Sequence, residues 1–285
     1  MKRILLPSTK ELSSLAAYVD GFLIGIRDMS VTVPLTVTIE ELEEISSFCE
    51  KEKKELFISL NKNMQEEDLK PLKDILQQLA NMHIQGVFFY DIAVVELKQE
   101  LGLDINLVWS QEHCTTNYAT CEFWKEQGVK YTALSSEITL EEIKMIRENT
   151  DMSLMVTIFG HLPMFVSKRP FITNYSKHFG LEKKGIHYSL EKEGYSYPIL
   201  EDSLGTIIYS SHILNGYQEY QWMENHRIDY ILLNSFGIKE DTMKSVLEIF
   251  KEQPQNGEEQ IESLCEPVDK GFFYKETVYK VKKYD

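Results

Sequence analysis

Cysteine is scarce in this sequence, and its spacing excludes the commonest metal-binding motifs. The 285 residues contain four cysteines, none of them in a Cys-x-x-Cys pair: Cys49, Cys114, Cys121 and Cys265. A reducing compartment also argues against disulfides in a chain of this size. We therefore expect neither a zinc ribbon nor a self-contained iron–sulfur site.

Long apolar runs are absent as well. No stretch approaches the roughly 18 uninterrupted apolar residues that a membrane span needs. The first residues, MKRILLPSTKEL, lack the apolar core and the small-residue cleavage site of a signal peptide. The sequence therefore predicts a cytoplasmic protein that makes no membrane contact.

Positive charge is in deficit. Forty-five acidic side chains against thirty basic ones give a formal net charge of −15, and the isoelectric point is near 5.0. A field of this sign repels phosphate backbones. We therefore expect the chain to bind nucleic acid poorly by itself.

Short apolar segments alternate with helix-like stretches along most of the chain, a pattern typical of parallel strands joined by helical crossovers. Eight such segments in this length favour a closed barrel over an open sheet. The fold class predicted is α/β, a TIM-like (β/α)8 barrel. The candidate strands are Arg3–Pro7, Gly21–Ile26, Leu56–Leu60, Gly86–Tyr90, Ile105–Trp109, Lys130–Leu134, Leu154–Phe159 and Tyr230–Asn234.

The alternation breaks between Gly160 and Asn225, over a length far greater than that of a usual strand-to-helix loop. We predict a barrel over residues 1–250 that includes a long insertion, residues 160–226, after the seventh strand. Residues 251–285 are predicted to form a short C-terminal extension that packs on the barrel. Within it, QPQNGEEQIESLCEPVDKG indicates an acidic, turn-rich excursion, and FFYKETVYKVKKYD alternates like a strand or an extended arm.

Two helices have clear start signals. Thr38 precedes IEELEEISSFCEKEKK, and Thr139 precedes LEEIKMIREN. Each threonine is a good N-cap, and the acidic residues of each first turn lie where the helix dipole favours them.

The segment IFGHLPMFVSKRPFITNY follows the seventh strand, at the end of a barrel where active sites lie. His161 is a candidate acid or base, and Arg169 offers a planar fork for a carboxylate or phosphate. The alternative is that His161 is a hydrogen-bonded structural residue and Arg169 pairs with a nearby acid. Ser167 and Lys168 are adjacent on an extended segment and point to opposite sides, which disfavours a serine–lysine nucleophile.

Two further segments carry candidate ligand-binding residues. In WSQEHCTTNYAT, Gln111 and Asn117 could line the mouth of the barrel, while Thr115 or Asn117 could instead cap the following helix. Glu201 and Asp202 could bind a metal or orient a hydroxyl group, or could form a solvated turn. No His-Glu-x-x-His or Gly-x-Ser-x-Gly motif of a hydrolase occurs.

Three blocks together resemble peptidase family U32, the collagenase-like peptidases: WSQEHCTTNYATCEFWKEQGVKYTALSSEITLEEI, FGHLPMFVSKRPFITNY and PILEDSLGTIIYSS. The resemblance runs from the first strand to KGFFYKETVYKVKK. It implies kinship with RNA- or ubiquinone-hydroxylation proteins that carry an iron–sulfur cluster, and with a branch that helps to form 5-hydroxyuridine at the wobble position of tRNA. The chain is most similar to short, single-barrel members encoded beside a longer paralogue in Gram-positive bacteria.

The sequence departs from the family where the cluster would be bound. The cluster-bearing members have cysteines roughly where Pro163 or Met164 and Pro170 stand here, and a further pair downstream, whereas this chain has no cysteine between Cys121 and Cys265. The family's Leu-Ser-Arg-Glu block is Leu134–Glu137 with serine in place of arginine. Without those thiolates we expect no iron–sulfur cluster and no other cofactor.

Three functions stay open. The first is a subunit of a tRNA wobble-uridine hydroxylation complex that relies on a larger, cluster-bearing paralogue and contacts tRNA only through that complex. The second is a peptidase with a mouth built around His161, Glu137 and Glu201, and the third is a small-molecule-binding barrel without catalysis. We expect no metal site. The predicted catalytic residues are His161 and Glu137, and the predicted substrate-binding residues are Gln111, Asn117, Ser167, Arg169, Tyr175, Glu201 and Asp202.

Overall fold

All eight candidate strands are present in the structure, a computed structural model that describes residues 1–111 and 113–275. The chain forms thirteen strands in that part: Lys2–Leu6 (β1), Gly21–Ile26 (β2), Thr36–Val37 (β3), Glu55–Leu60 (β4), Gly86–Phe89 (β5), Leu107–Ser110 (β6), Tyr131–Ala133 (β7), Ser153–Ser167 (β8), His187–Lys192 (β9), Tyr195–Asp202 (β10), Gly205–Asn215 (β11), Tyr230–Asn234 (β12) and Val268–Asp269 (β13).

Eight parallel strands close the barrel in the order β1, β2, β4, β5, β6, β7, β8 and β12. Closure occurs where β12 pairs with both β8 and β1, and Lys2 lies in register with Tyr230. The predicted TIM-like (β/α)8 barrel is therefore confirmed. Its strands are short and apolar because helices cover their outer faces while side chains fill the interior.

Nine α-helices occur in the described residues: Ile39–Lys51 (α1), Leu69–Leu79 (α2), Ala93–Glu100 (α3), Tyr118–Glu126 (α4), Leu140–Asn149 (α5), Phe171–Phe179 (α6), Tyr220–Asn225 (α7), Glu240–Glu252 (α8) and Gly257–Leu264 (α9). Thr38 and Thr139 form capping boxes with Glu41 and Glu142, which confirms both predicted helix starts. Among these residues, no helix combines the length and apolar content needed to cross a membrane.

The barrel interior is filled by its own side chains. Phe57 lies at its centre, with the rings of Phe88, Tyr131 and Tyr230 edge-on to it at centroid distances of 5.7–5.8 Å. Tyr131 and Tyr230 are the first residues of their strands, so this cluster closes the N-terminal end of the barrel. The open end is therefore the C-terminal one.

Strand β8 belongs to two sheets. Up to Phe159 it is a barrel strand, and beyond Gly160 it pairs antiparallel with β11. Strands β10 and β9 extend this second sheet, which we call the insertion sheet. The sequence predicted that the strand ends at Phe159, and it continues because the antiparallel partner β11 satisfies its backbone beyond that point.

The insertion sheet lies across the mouth of the barrel. On its inner face Tyr209 stacks on Phe236, which follows the last barrel strand, at a centroid distance of 3.7 Å. Ile207 and Leu200 join the same cluster. On the outer face, Phe165 of β8 contacts Phe171, the first residue of α6, at 5.7 Å.

Helix α6 is held on the outer face by Glu201. The Glu201 carboxylate is fully buried and accepts hydrogen bonds from the backbone N–H groups of Ile172 (2.6 Å) and Thr173 (2.9 Å) and from the Thr206 hydroxyl (2.8 Å). Lys183 forms a salt bridge with it at 2.8 Å. Burial alone would raise the pKa of Glu201, but these hydrogen bonds outweigh it and lower the pKa to about 2.

The C-terminal part of the described chain returns to the insertion sheet. Strand β13 pairs with Ile213 and Leu214 of β11, and Lys270 bridges the buried Glu219 (3.2 Å) and Glu258 (2.5 Å). The predicted turn-rich excursion contains a helix, α9, because Ile261 finds a buried position against the barrel. Of the predicted strand or arm FFYKETVYKVKKYD, residues 276–285 lie outside the described residues.

Gly160 provides a test of the junction between the two sheets. Its φ is +113°, and a Cβ there would lie 2.3 Å from the carbonyl oxygen of Asn234. We expect Gly160→Ala to lower the free energy of unfolding by about 3 kcal/mol or more, from strain plus overpacking. Gly128→Ala is the control, because Gly128 has φ +79° but open space around it. We expect this control substitution to lower the free energy of unfolding, measured in urea, by only about 1–2 kcal/mol. Equal losses would show that the Asn234 contact is unimportant.

Glu201 provides a test of the insertion. Its folded-state pKa lies below its ordinary value of 4.5, so its stabilisation is complete above about pH 4.5 and is lost as the pH falls towards 2. The shift corresponds to about 3 kcal/mol. We expect Glu201→Gln to speed amide exchange at Ile172 and Thr173 and to lower the melting temperature at pH 7.

The melting-temperature gap between Glu201→Gln and wild type should narrow between pH 4.5 and pH 2. The exposed Glu193 of the β9–β10 turn supplies the control variant, Glu193→Gln. A gap that stays constant over this range would show that the carboxylate charge is not what holds α6.

Candidate functional site

The open end of the barrel carries a polar cleft, which we call the mouth cleft. It lies between the barrel loops and the inner face of the insertion sheet and encloses about 210 Å³. That volume is smaller than the about 300–1,000 Å³ of typical small-molecule pockets. Its lining includes Asn61, Lys62, Tyr90, Gln111, Ser167 and Lys168.

A smaller cavity lies deeper, inside the barrel, and His161 is on its wall. The ring is buried, and its Nδ1 donates a hydrogen bond to the Ser210 carbonyl at 2.7 Å. Burial lowers the pKa of His161, an effect that the bond to Ser210 opposes. His161 is therefore neutral at pH 7, with Nε2 as the unprotonated nitrogen.

Gln111 connects the two spaces. It lines both the mouth cleft and the inner cavity, so His161 and Gln111 lie at the same end of the barrel. Its Nε2 donates to the Tyr90 hydroxyl at 3.3 Å, and its Oε1 accepts from the backbone of His113 at 3.0 Å. These bonds hold the amide at the boundary between cleft and cavity, where it can form hydrogen bonds with a small polar ligand.

Glu137 does not join His161. Its carboxylate lies 3.3 Å from Nδ1 of His113, and both residues line a second cleft beside the mouth. His161 lines the inner cavity instead, with Ser136, Leu162 and Pro163 shared between the two walls. The structure therefore does not bring the predicted catalytic residues His161 and Glu137 together, and the side chain beside Glu137 is His113.

Ser167 and Arg169 lie where β8 leaves the cleft. Ser167 lines the mouth cleft, and its hydroxyl accepts a hydrogen bond from the backbone of Arg169 at 3.2 Å. The Arg169 side chain is exposed and makes no salt bridge within residues 1–111 and 113–275. Within those residues Arg169 therefore does not form the structural ion pair that was the alternative to ligand binding. A ligand-binding role for Arg169 stays a prediction.

Glu201 and Asp202 line neither the mouth cleft nor the inner cavity. The Glu201 oxygens accept hydrogen bonds from the start of α6 and pair with Lys183, as described above. Asp202 is exposed and accepts the backbone N–H of Leu204 at 2.8 Å, as a turn residue does. Both carboxylates therefore accept hydrogen bonds from backbone N–H groups, and a substrate-binding role for this acidic pair stays a prediction.

Asn117 and Tyr175 also lie away from the cleft. The Asn117 side chain accepts the backbone N–H of Thr120 at 3.0 Å and caps α4, so the capping alternative holds. Tyr175 is 58% exposed on α6, next to Phe179, on the outer side of the insertion sheet. Neither side chain lines the mouth cleft or the inner cavity.

The sequence missed several residues of the mouth. Asn61 and Lys62 follow β4, and Tyr90 follows β5, so each stands directly after a strand that the sequence predicted. The rule that selected Gln111 would have selected them too. His113 had no comparable signal, because its place beside Glu137 depends on contacts between two different loops.

Three of the four cysteines are poorly suited to ligate an iron–sulfur cluster, and the fourth, Cys114, is exposed. Cys49, Cys121 and Cys265 are buried in separate elements, and burial raises their pKa values to about 12, 11 and 11. Burial of this kind opposes the thiolate form that iron requires. Within the described residues, no group of three His, Cys, Asp or Glu side chains is placed to hold a metal ion.

Comparison with known proteins finds relatives in tRNA modification. The chain is 26% identical to tRNA hydroxylation protein P2 of Bacillus subtilis, over 91% of this chain and 92% of the relative. It is 25% identical to tRNA hydroxylation protein P1 of the same organism, over 48% of this chain and 33% of the relative. A protein of Methanocaldococcus jannaschii described as an uncharacterized protease, MJ0090, is 29% identical over 55% of this chain and 39% of its own length.

The fold has a solved counterpart. The structure described as the U32 peptidase Mk0906 superposes with a TM-score of 0.55 at 14% identity, covering 83% of this chain and 93% of that one. This likeness shows a shared barrel architecture. The sequence profile of peptidase family U32 matches residues 9–276, from before β2 to the end of the described chain. This chain therefore belongs to peptidase family U32.

Proposed function

We propose that this chain is a cytoplasmic subunit in the 5-hydroxylation of the tRNA wobble uridine, acting with a larger relative that supplies the redox chemistry. The observation that carries the proposal is the end-to-end likeness to tRNA hydroxylation protein P2, which spans 91% of this chain and 92% of that protein.

The need for a partner is supported by the second relative. Proteins P1 and P2 come from one organism, and this chain matches only 33% of P1. P1 is therefore the longer protein, and the two names describe one modification. A short chain of the P2 type acting beside a longer one fits both observations.

The site supports a binding role more than an independent redox role. The mouth cleft offers amides, hydroxyls and two lysines, which suit a small polar or anionic ligand. The buried thiols are poor ligands for iron, as shown above. We infer that this chain carries no iron–sulfur cluster and that the electrons for hydroxylation come from the larger partner.

A hydrolase is the second candidate, and one contact favours it. The hydroxyl of Ser211 lies 3.0 Å from Nδ1 of His212, in the second cleft that also holds His113 and Glu137. A serine next to a histidine is the beginning of a nucleophilic site. Within the described chain, however, no acid bonds to the other nitrogen of His212, so the orienting third group of a triad is missing.

The experiment that tests the proposal is deletion of the gene in its own host. We expect 5-hydroxyuridine to disappear from tRNA digests analysed by mass spectrometry, and wild-type protein to restore it. Gln111→Ala should restore at most a small part, because it removes the amide at the boundary of cleft and cavity. Gln99→Ala, at an exposed site on α3, should restore it fully. Both variants should melt within a few degrees of wild type.

Two outcomes would contradict the proposal. Unchanged 5-hydroxyuridine in the deletion strain would remove this chain from the modification. Peptide turnover by purified wild-type protein, lost in Ser211→Ala, would move the assignment to a hydrolase. A tagged chain that co-purifies with a longer family member would support the partnership.

The absence of a cluster is tested separately. We expect protein purified without oxygen to contain neither iron nor acid-labile sulfide in stoichiometric amounts, because three of the four thiols are buried in an environment that disfavours the thiolate form. A broad visible absorption with matching iron and sulfide contents would contradict this inference. The longer relative, purified in the same way, is the positive control.

A further inference from the structure

The chain as a whole is acidic, but one of its segments carries a net positive charge. Residues 161–181 contain three basic side chains, Lys168, Arg169 and Lys177, and no aspartate or glutamate. This is a rare composition in a chain with forty-five acidic residues. The segment comprises the end of β8 and helix α6, on the insertion sheet beside the mouth cleft.

This segment and the β9–β10 hairpin that follows it are unusually rich in exposed apolar side chains. Among the described residues, ten of the sixteen exposed large apolar side chains lie between Met164 and Tyr195. Patches of this kind on a protein surface mark binding sites. Four of the ten are aromatic rings at the end of β8 and on α6: Phe165, Phe171, Tyr175 and Phe179.

The rings of α6 form a row. Phe171, Tyr175 and Phe179 recur every four residues and so share one flank of the helix. Tyr175 and Phe179 lie 4.7 Å apart, and Phe165 extends the row from β8 through its contact with Phe171. Tyr175 and Phe179 are 58% and 59% exposed. We call Phe165, Phe171, Tyr175 and Phe179 the ring row.

The basic groups beside the ring row are available for a partner. Arg169 and Lys177 are exposed, and neither forms a salt bridge in the part of the chain that the structure describes. Lys168 lies near Asp68, whose own salt bridge is with Lys62 at 2.9 Å. The N-terminus of α6 is already neutralised by Glu201, so the positive charge here comes from side chains.

We propose that the ring row and its basic neighbours bind single-stranded RNA, with unpaired bases stacking on the rings and the backbone phosphates held by Arg169, Lys177 and Lys168. Exposed aromatic rings interleaved with basic groups are the combination that single-stranded nucleic acids require. Rings and arginine also occur in protein interfaces, whereas the cores of such interfaces are depleted in lysine, so the two lysines are the feature that favours RNA.

The position of this surface indicates in which direction a bound RNA strand would run. Lys168, next to Arg169 at the end of β8, is exposed and also lines the mouth cleft. An RNA loop lying along α6 therefore leads towards the barrel mouth. This inference rests on the proposed function and assigns to this chain a direct contact with the loop of the tRNA.

The test is fluorescence anisotropy with the full chain and a labelled RNA hairpin that has an unpaired loop, at about 50 mM salt, where phosphate contacts are strongest. We expect the hairpin to bind and a fully paired duplex to bind much more weakly. Tyr175→Ala and Phe179→Ala should each weaken hairpin binding by about tenfold. Phe123→Ala, an equally exposed ring on α4, is the control and should bind like wild type.

Two further variants separate stacking from general apolar contact. Phe179→Leu retains apolar bulk without a ring and should lose binding, whereas Tyr175→Trp should retain it. Lys177→Gln should reduce the salt dependence of the binding constant. Because all these sites are exposed, thermal melts should stay close to wild type.

The proposal is overturned if the hairpin does not bind at this salt concentration, or if the ring variants bind like wild type. The surface would instead be assigned to a protein partner if the chain self-associates or binds the longer relative through it. In that case Phe179→Ala should lose the interaction and Phe179→Leu should retain it. These failures are distinct from failure of the proposed function. If the deletion strain loses 5-hydroxyuridine while the hairpin does not bind, only the RNA surface is wrong.

Discussion

The contact between Gly160 and the backbone of Asn234 is the point on which the arrangement of the mouth depends. At this point β8 leaves the barrel wall and continues as a strand of the insertion sheet. A side chain at residue 160 would separate β8 from β12. Without the close approach, the insertion sheet would not lie over the barrel, and the mouth cleft would lose the wall that carries Ser167 and Lys168.

His161 follows directly and shows why structural and functional roles are hard to separate here. Strand β11 bulges opposite this position, and the ring of His161 bonds to the Ser210 carbonyl within the bulge. The same bond directs the other ring nitrogen away from the bulge. The two roles of this histidine therefore belong to different atoms of one ring: Nδ1 makes the structural hydrogen bond, and Nε2 is the candidate base.

The sequence was most informative where one physical rule acts alone. Buried parallel strands need apolar residues on both faces, so all eight barrel strands could be located, and threonine followed by acidic residues was sufficient to find two helix starts. Prediction failed where partners are distant in the chain. Glu201 receives hydrogen bonds from Ile172 and Thr173, and nothing in the segment EDSLG indicates that α6 lies above it. Strand β9 is exposed on both faces, so it has no apolar alternation to detect.

The pairing of Lys2 with Tyr230 has a consequence for how the protein is made. One edge of β1 has no partner until β12, the eighth barrel strand, has left the ribosome. The edge of β11 that pairs with Val268 and Asp269 stays unpaired until still later in synthesis. Such end-to-end contacts fold slowly, since the ends of a long loop must meet before any of them forms. The nascent chain therefore presents open strand edges for most of its synthesis, and such edges are prone to aggregate until their partner strands arrive.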